Sequence, residues 1–153
     1  MTRTINLYDG LEALYYFDTD YWDGGVNELS DQSGHGRHAS ASGGPTLGNE
    51  GPASFEAASF DGTDDAFGLE DLDAFQPASS GTWHFLCKPD TDSSDLRIAD
   101  WGYGSSNDKG ILFRYNTGKW GVILWDGTNT RFMGSGKSYL DEWHTLTLVV
   151  HNG

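Results

Sequence analysis

Two sets of residues in this 153-residue sequence have types and spacing suited to binding chemistry. The first joins aromatic rings to polar groups: Trp101 and Tyr103 in Ala99-Asp100-Trp101-Gly102-Tyr103-Gly104, Trp125 with Asp126 and Asn129 in Leu124-Trp125-Asp126-Gly127-Thr128-Asn129, and Trp22 beside Tyr21. In the first two an aromatic stands where an apolar run gives way to a Gly-rich polar stretch, and Tyr21 and Trp22 lie in a polar loop. Such a ring can stack on a sugar while neighbouring amides and carboxylates meet its hydroxyls. The same tryptophans could instead close the ends of a core. The second set is carboxylate: Asp18, Asp20 and Asp23 precede Asp31, and Asp64 adjoins Asp65. Ca²⁺ takes six to eight oxygens, mostly from loops, and these aspartates could supply some, although no spacing matches an EF-hand. With 17 Asp in the chain, acidic groups also arise as plain surface. His35 and His38 bracket Gly36-Arg37 with no cysteine or third histidine nearby, which reads as a solvated loop rather than a transition-metal site.

The elements that must position these residues read as strands. No stretch of a dozen residues keeps apolar residues at i, i+3 and i+4, and only residues 68–76 have room for a short helical turn. Period-two alternation recurs instead. A first strand is expected over 11–17, others over 54–60 and 65–69 on either side of the Asp61-Gly62 turn, and further ones over 81–88, 96–101, 111–116, 120–125 and 143–150. The Asn116-Thr117-Gly118 and Asp126-Gly127 stretches read as hairpin turns, where Gly tolerates positive φ. Residues 18–52 and 90–95 read as polar loops, the usual carriers of binding residues on a rigid scaffold. The length suits one domain spanning 1–153, and 21 Gly with 14% aromatics suit an all-β domain.

Charge narrows the partners. Asp and Glu number 23 against 9 Lys and Arg, a net −14. Self-repulsion of this size weakens a compact state in dilute buffer and is screened in molar salt, where the Debye length is about 3 Å. The balance suggests adaptation to high salt, or else an acidic, Ca²⁺-rich extracellular setting. Duplex nucleic acid is not an expected partner, because phosphate binding needs clustered cations. No apolar run approaches the length needed to span a bilayer, and the opening Met1-Thr2-Arg3-Thr4-Ile5 does not read as a signal peptide. Cys87, the single cysteine, forms no internal disulfide and reads as a small buried hydrophobe.

Several motifs occur in a familiar order. They are Leu14-Tyr15-Tyr16-Phe17-Asp18, then Asp31-Gln32-Ser33-Gly34-His35-Gly36, then Phe60-Asp61-Gly62-Thr63-Asp64-Asp65, then Thr82-Trp83-His84-Phe85-Leu86-Cys87-Lys88-Pro89, and last Glu142-Trp143-His144-Thr145-Leu146. Together the sequence resembles a laminin-G-like (concanavalin-type) domain. That resemblance implies an antiparallel two-sheet jelly-roll sandwich whose rim loops bind glycans or proteins, often with Ca²⁺, and it singles out Asp31 with Asp64 and Asp65 as metal candidates. Two departures stand out. Leu86 replaces the family's usual Trp before Lys-Pro, and the sequence stops soon after the Trp-His strand. The second suggests a longer natural polypeptide, or a partner that completes the sheet.

The expected function is therefore a non-catalytic glycan-binding or adhesion module. It would meet a cell-surface glycan or glycoprotein, outside the cell or on the surface of a virion from a halophile virus. The alternative is a structural module contacting other chains in a larger assembly. A glycoside hydrolase is a distant third: retaining enzymes of this fold carry a Glu-x-Asp-x-(x)-Glu strand, and here only Asp71 and Asp73 stand two apart, in a poor strand context.

Overall fold

The computed structural model describes residues 10–24, 28–48, 51–69, 80–91, 96–101, 110–125, 130–134 and 140–151. They form an all-β protein with antiparallel sheets, and the one helical element among the described residues is a 3-10 turn at Pro52–Ser54. The chain divides into two compact units, residues 1–74 and 75–153. None of the described helices is long and apolar enough to cross a membrane.

The first unit holds β1 (Glu28–Leu29), β2 (Ala39–Ser42), β3 (Thr46–Gly48), β4 (Ala57–Ser59) and β5 (Ala66–Leu69). One sheet runs β1-β2-β5, and β3 pairs with β4. Register explains the packing. Ala39 lies opposite Leu69 and Ala41 opposite Phe67, so a small residue faces a large one at each rung. Ser40 and Ser42 point the other way, as period two requires. Trp22, Leu29 and Ala39 form the buried centre, with Tyr15, Phe17, Leu47, Phe67 and Leu69 packed around it. Trp22 meets Phe67 edge-on at 4.9 Å and Phe17 at 6.3 Å, a geometry favoured by the ring quadrupoles.

Residues 11–17 do not join a ladder, contrary to the expected first strand. Their alternation survives, since Tyr15 and Phe17 enter the core while Tyr16 stays exposed. The backbone is held by contacts with the 31–37 loop instead. Gln32 N donates to Leu14 O at 2.8 Å, and the Tyr15 hydroxyl donates to Arg37 O. The stretch read as a polar loop, 18–52, contains β1, β2 and β3. These strands are short and built largely of Ala, Ser, Thr and Gly, so they lack an apolar run. The helical turn considered for 68–76 is excluded at residues 68–69, which are strand; the rest lies outside the described residues.

The second unit holds β6 (Ser80–Cys87), β7 (Leu96–Trp101), β8 (Gly110–Asn116), β9 (Lys119–Trp125), β10 (Thr130–Gly134) and β11 (His144–His151). One sheet runs β10-β9-β8-β7 and another pairs β11 with β6. Trp83 of β6 and Leu148 of β11 share a buried cluster with Ile111 and Phe113 of β8, and Phe85 meets Phe113 edge-on at 4.8 Å. Trp83, Phe85 and Cys87 face inward along β6 as their alternation predicts, opposite Leu148, Leu146 and His144. The outward His84 ring meets the Thr147 hydroxyl at 3.0 Å. Burial pushes the Cys87 thiol up to about 12, so it stays protonated at neutral pH.

Strands β8 and β9 are joined by Thr117 and Gly118, both with positive φ (48° and 77°). Two such residues make the primed turn whose twist matches a hairpin. Leu112 and Ile123 are buried as well as Ile111 and Phe113, so the centre of this sheet is apolar on both faces. Strand β10 has no counterpart among the expected strands, because Thr130-Arg131-Phe132-Met133-Gly134 shows no clean alternation.

A close backbone approach in the first unit gives a sharp test. Gly43 has φ +81°, and a Cβ there would lie 2.3 Å from Asp64 O. Gly34 has φ +94° but open space around it. Gly43→Ala is expected to cost about 3 kcal/mol and Gly34→Ala about 1 kcal/mol, read by urea denaturation. Equal losses would mean that space around Gly43 is not limiting.

Candidate ligand-binding site

Strands β8, β9 and β10 build an open groove of about 230 Å³ lined by Arg114, Asn116, Thr117, Lys119, Gly121 and Phe132. The ladder dictates this gathering. Arg114 lies opposite Gly121 and Asn116 opposite Lys119, while Gly134 lies opposite Gly121. Paired residues share a face, as do residues two apart. The lining residues carried by these strands therefore project from one face, at the end closed by the Thr117-Gly118 turn.

Phe132 is the aromatic residue of the groove lining. A Cβ on Gly121 would come within 2.6 Å of its Cε2, and one on Gly134 within 2.8 Å of its Cε1 and Cζ. The ring tip therefore occupies the space that two cross-strand glycines leave open, the arrangement by which an aromatic covers exposed glycines in a sheet. The ring is still 58% exposed. The Arg114 guanidinium lies 5.4 Å from its centroid, within cation–π range. An aromatic face is thus fixed beside an amide, a hydroxyl and two cations.

The sequence candidates fall elsewhere. Trp22 is only 2% exposed and is the core of the first unit, so it offers no ring to a ligand. Burying an indole among Phe17, Leu29 and Phe67 gains more apolar contact than a loop position would give. Trp101 ends β7 opposite Ile111, and Trp125 ends β9 opposite Thr130 and Gly110. Tyr103, Asp126 and Asn129 lie outside the described residues. Phe132 carried one readable signal, the spacing Gly121…Phe132…Gly134 across a hairpin, but it becomes visible only once β10 is known to pair with β9.

The structure brings Asp64 and Asp65 together with Asp61 and leaves Asp31 in a different role. One carboxylate oxygen from each of Asp61, Asp64 and Asp65 lies within 4.8 Å of the others. Asp65 also accepts from Asp61 N at 2.7 Å, and Asp61 accepts from Thr63 N at 2.7 Å. An all-oxygen donor set of this kind suits a hard cation such as Ca²⁺. One oxygen from each of three carboxylates supplies at most half of the six to eight oxygens Ca²⁺ takes, so water would complete the shell.

Asp31 is 7% exposed, and its two oxygens accept four hydrogen bonds. Oδ1 takes Leu14 N at 3.0 Å and Ser33 N at 2.9 Å. Oδ2 takes Ser33 Oγ at 2.7 Å and Arg37 N at 3.0 Å. Its own N–H donates to His38 Nδ1 at 3.1 Å. Burial alone would push this carboxyl up, but the donors from Ser33, Leu14 and Arg37 outweigh it and bring it down to about 2. A carboxylate so fully engaged ties the 31–37 loop to residue 14, and a cation there would have to displace backbone donors. His38 serves the same loop through this contact. The Tyr15 phenol is raised to about 12 by burial and by Asp31, against the lowering effect of Arg37.

No protein-family model, curated protein or solved structure matches this chain. The site therefore rests on its own geometry. Asp31 offers a check of that geometry in acid. Its carboxyl lies at about 2 in the fold against an ordinary 3.8, so its stabilisation is full above about pH 4 and is lost as pH falls through about 2. Asp31→Ala, which strands buried N–H donors, is expected to cost about 3 kcal/mol at neutral pH. It should also flatten the acid limb of the stability curve, measured by denaturant titration at stepped pH. A wild-type acid limb retained in the mutant would count against the four-donor arrangement.

Proposed function

We propose that this chain is a non-catalytic carbohydrate-binding module adapted to high salt, displayed outside the cell or on a virion. We further propose that its sheets are parts of the jelly-roll sandwich implied by the laminin-G-like resemblance. One observation carries the binding reading: the Phe132 ring, seated over Gly121 and Gly134 and more than half exposed, beside Asn116, Thr117 and Arg114. Sugars are recognised by such pairings of a ring face with fixed polar groups. The groove lies below the roughly 300–1,000 Å³ of sites for drug-sized ligands, which suits one sugar ring or the end of a longer glycan. Among the described residues its lining holds no carboxylate, whereas glycoside hydrolysis needs two flanking the bond, so binding is favoured over catalysis.

A second reading has its own support. Leu86 and Val149 project from the outer face of the β6/β11 pair, 54% and 65% exposed. Apolar side chains on an open sheet face suit contact with another protein chain, as in an assembly module.

A glycan array probed with the folded protein and with Phe132→Ala separates the two readings. Binding that falls about tenfold or more in the variant supports the carbohydrate reading, since aromatic contacts of this kind are worth about 1 kcal/mol or more. No binding to any glycan, together with a solution mass that rises with concentration and returns to monomer in Val149→Lys, supports the assembly reading. Thermal melting tests the salt adaptation and the Asp61-Asp64-Asp65 cation site together. The midpoint is expected to rise with NaCl as repulsion among the net −14 charges is screened, and chelator at fixed ionic strength is expected to lower it if Ca²⁺ is held. A midpoint indifferent to NaCl would overturn the high-salt reading, and one indifferent to chelator the Ca²⁺ reading.

A further inference from the structure

We infer that the β8–β10 groove takes an acidic sugar, a ring bearing carboxylate or sulfate, and holds it directly through Arg114 and Lys119 with no bridging metal ion. This rests on the carbohydrate reading above and specifies the ligand's charge and how it is recognised.

Acids outnumber bases 23 to 9 along the chain, yet among the described residues the groove lining contains two cations and no acid. Arg97 joins the same face, because it lies directly opposite Arg114 in the β7/β8 ladder. Three of the nine Lys and Arg side chains therefore project from one face of three adjacent strands. Like charges opposite each other in a ladder are destabilising, and here Arg97 is offset by Asp100 at 2.8 Å. Arg114 and Lys119 line the groove itself, and among the described residues Lys119 has no carboxylate partner.

Position then assigns roles. Arg114 is half-buried, with its guanidinium held over Phe132, so it is preorganised and can present a fork of donors to a planar carboxylate or a sulfate. Lys119 is exposed and lies opposite Asn116, where its ammonium can meet a second oxygen. Asn116 and Thr117 offer an amide and a hydroxyl to ring hydroxyls. Phe132 supplies the stacking face. Contact pairs survive salt better than long-range attraction, because screening acts over the Debye length while a hydrogen-bonded pair lies within it. Direct charge pairing in the groove is thus compatible with a high-salt setting.

The test is binding of matched glycan sets, each backbone presented neutral, carboxylated and sulfated, to the folded chain in chelator. The expected result is retention of acidic members only, weakening as salt is raised. Lys119→Gln is expected to lower affinity about tenfold, the loss of one charge-assisted contact. Gly121→Ala, which pushes the Phe132 ring aside by intruding on its Cε2, should also lower affinity while the melting midpoint stays close to wild type. Equal binding of neutral and acidic members, or affinity unchanged in Lys119→Gln, overturns the acidic-sugar inference and leaves the carbohydrate reading standing. Binding that requires Ca²⁺ overturns the metal-free mode. No binding of any member by a folded chain removes the carbohydrate reading itself.

Discussion

Cross-strand register is the constraint on which both units depend. In the first unit it sets Ala39 against Leu69 and Ala41 against Phe67, so the larger side chains have room to reach Trp22. In the second it sets Gly121 against Gly134 and so opens the space that Phe132 fills. A slip of one residue would turn every side chain of a strand to the opposite face. Ser40 and Ser42 would then face the core, and Phe132 would lose its seat. The turn at Thr117-Gly118, with positive φ at both residues, fixes the β8/β9 part of that register locally. The groove is thus a consequence of how the sheet is aligned rather than of a long loop reaching over it.

The abundant aspartates divide by burial into different kinds of work. Asp31 is enclosed, and four donors hold it ionised, so its charge organises backbone. Its effect is architectural: residues 11–17 have no ladder, and the hydrogen bonds that would come from a neighbouring strand come instead from Asp31 and Gln32. Asp61, Asp64 and Asp65 are mostly solvated, and two of them cap their own turn. One residue type thus serves as an internal anchor in one place and as a turn-former in the other. Composition alone could not separate them. Burial and donor count do.

Much of the strand content was legible in the sequence, and the reasons for the misses are specific. Strands β6 and β11 keep a period of two through Trp83-His84-Phe85 and Thr145-Leu146-Thr147-Leu148, while β8 and β9 carry the continuous apolar runs 111–113 and 122–125 expected of strands covered on both faces. β2 and β3 are four and three residues long and contain no large apolar residue except Leu47, so they were read as loop. The 11–17 stretch misled in the opposite direction. Its alternation is real, because Tyr15 and Phe17 are partly buried against the core while Tyr16 is exposed, but alternation reports which side of an extended chain faces the core and not whether a neighbouring strand pairs with it. Trp22 misled because a tryptophan among Asp and Gly looks exposed. The turn formed when Tyr21 N and Trp22 N both donate to Asp18 O carries it inward. Phe132 was missed because its value comes from two glycines, one on the adjacent strand, and single-sequence periodicity has no access to such a pairing.

The location of the groove bears on how a ligand would be recognised. A site carried by rim loops can adapt its shape, and ordering those loops costs affinity. The Arg114–Phe132 pair sits on ladder-paired strands, so its geometry is set before any ligand arrives and little ordering cost remains. Such a surface favours selectivity for a ligand of matching charge and ring shape over tolerance of many. The surrounding acid excess sharpens this. A strongly negative chain repels anions at long range, and an anion that binds does so only where local cations outweigh that field. Two cations with no carboxylate among the described lining residues, set in a protein of net −14, make the groove a place where charge selects at contact distance rather than by attraction from afar.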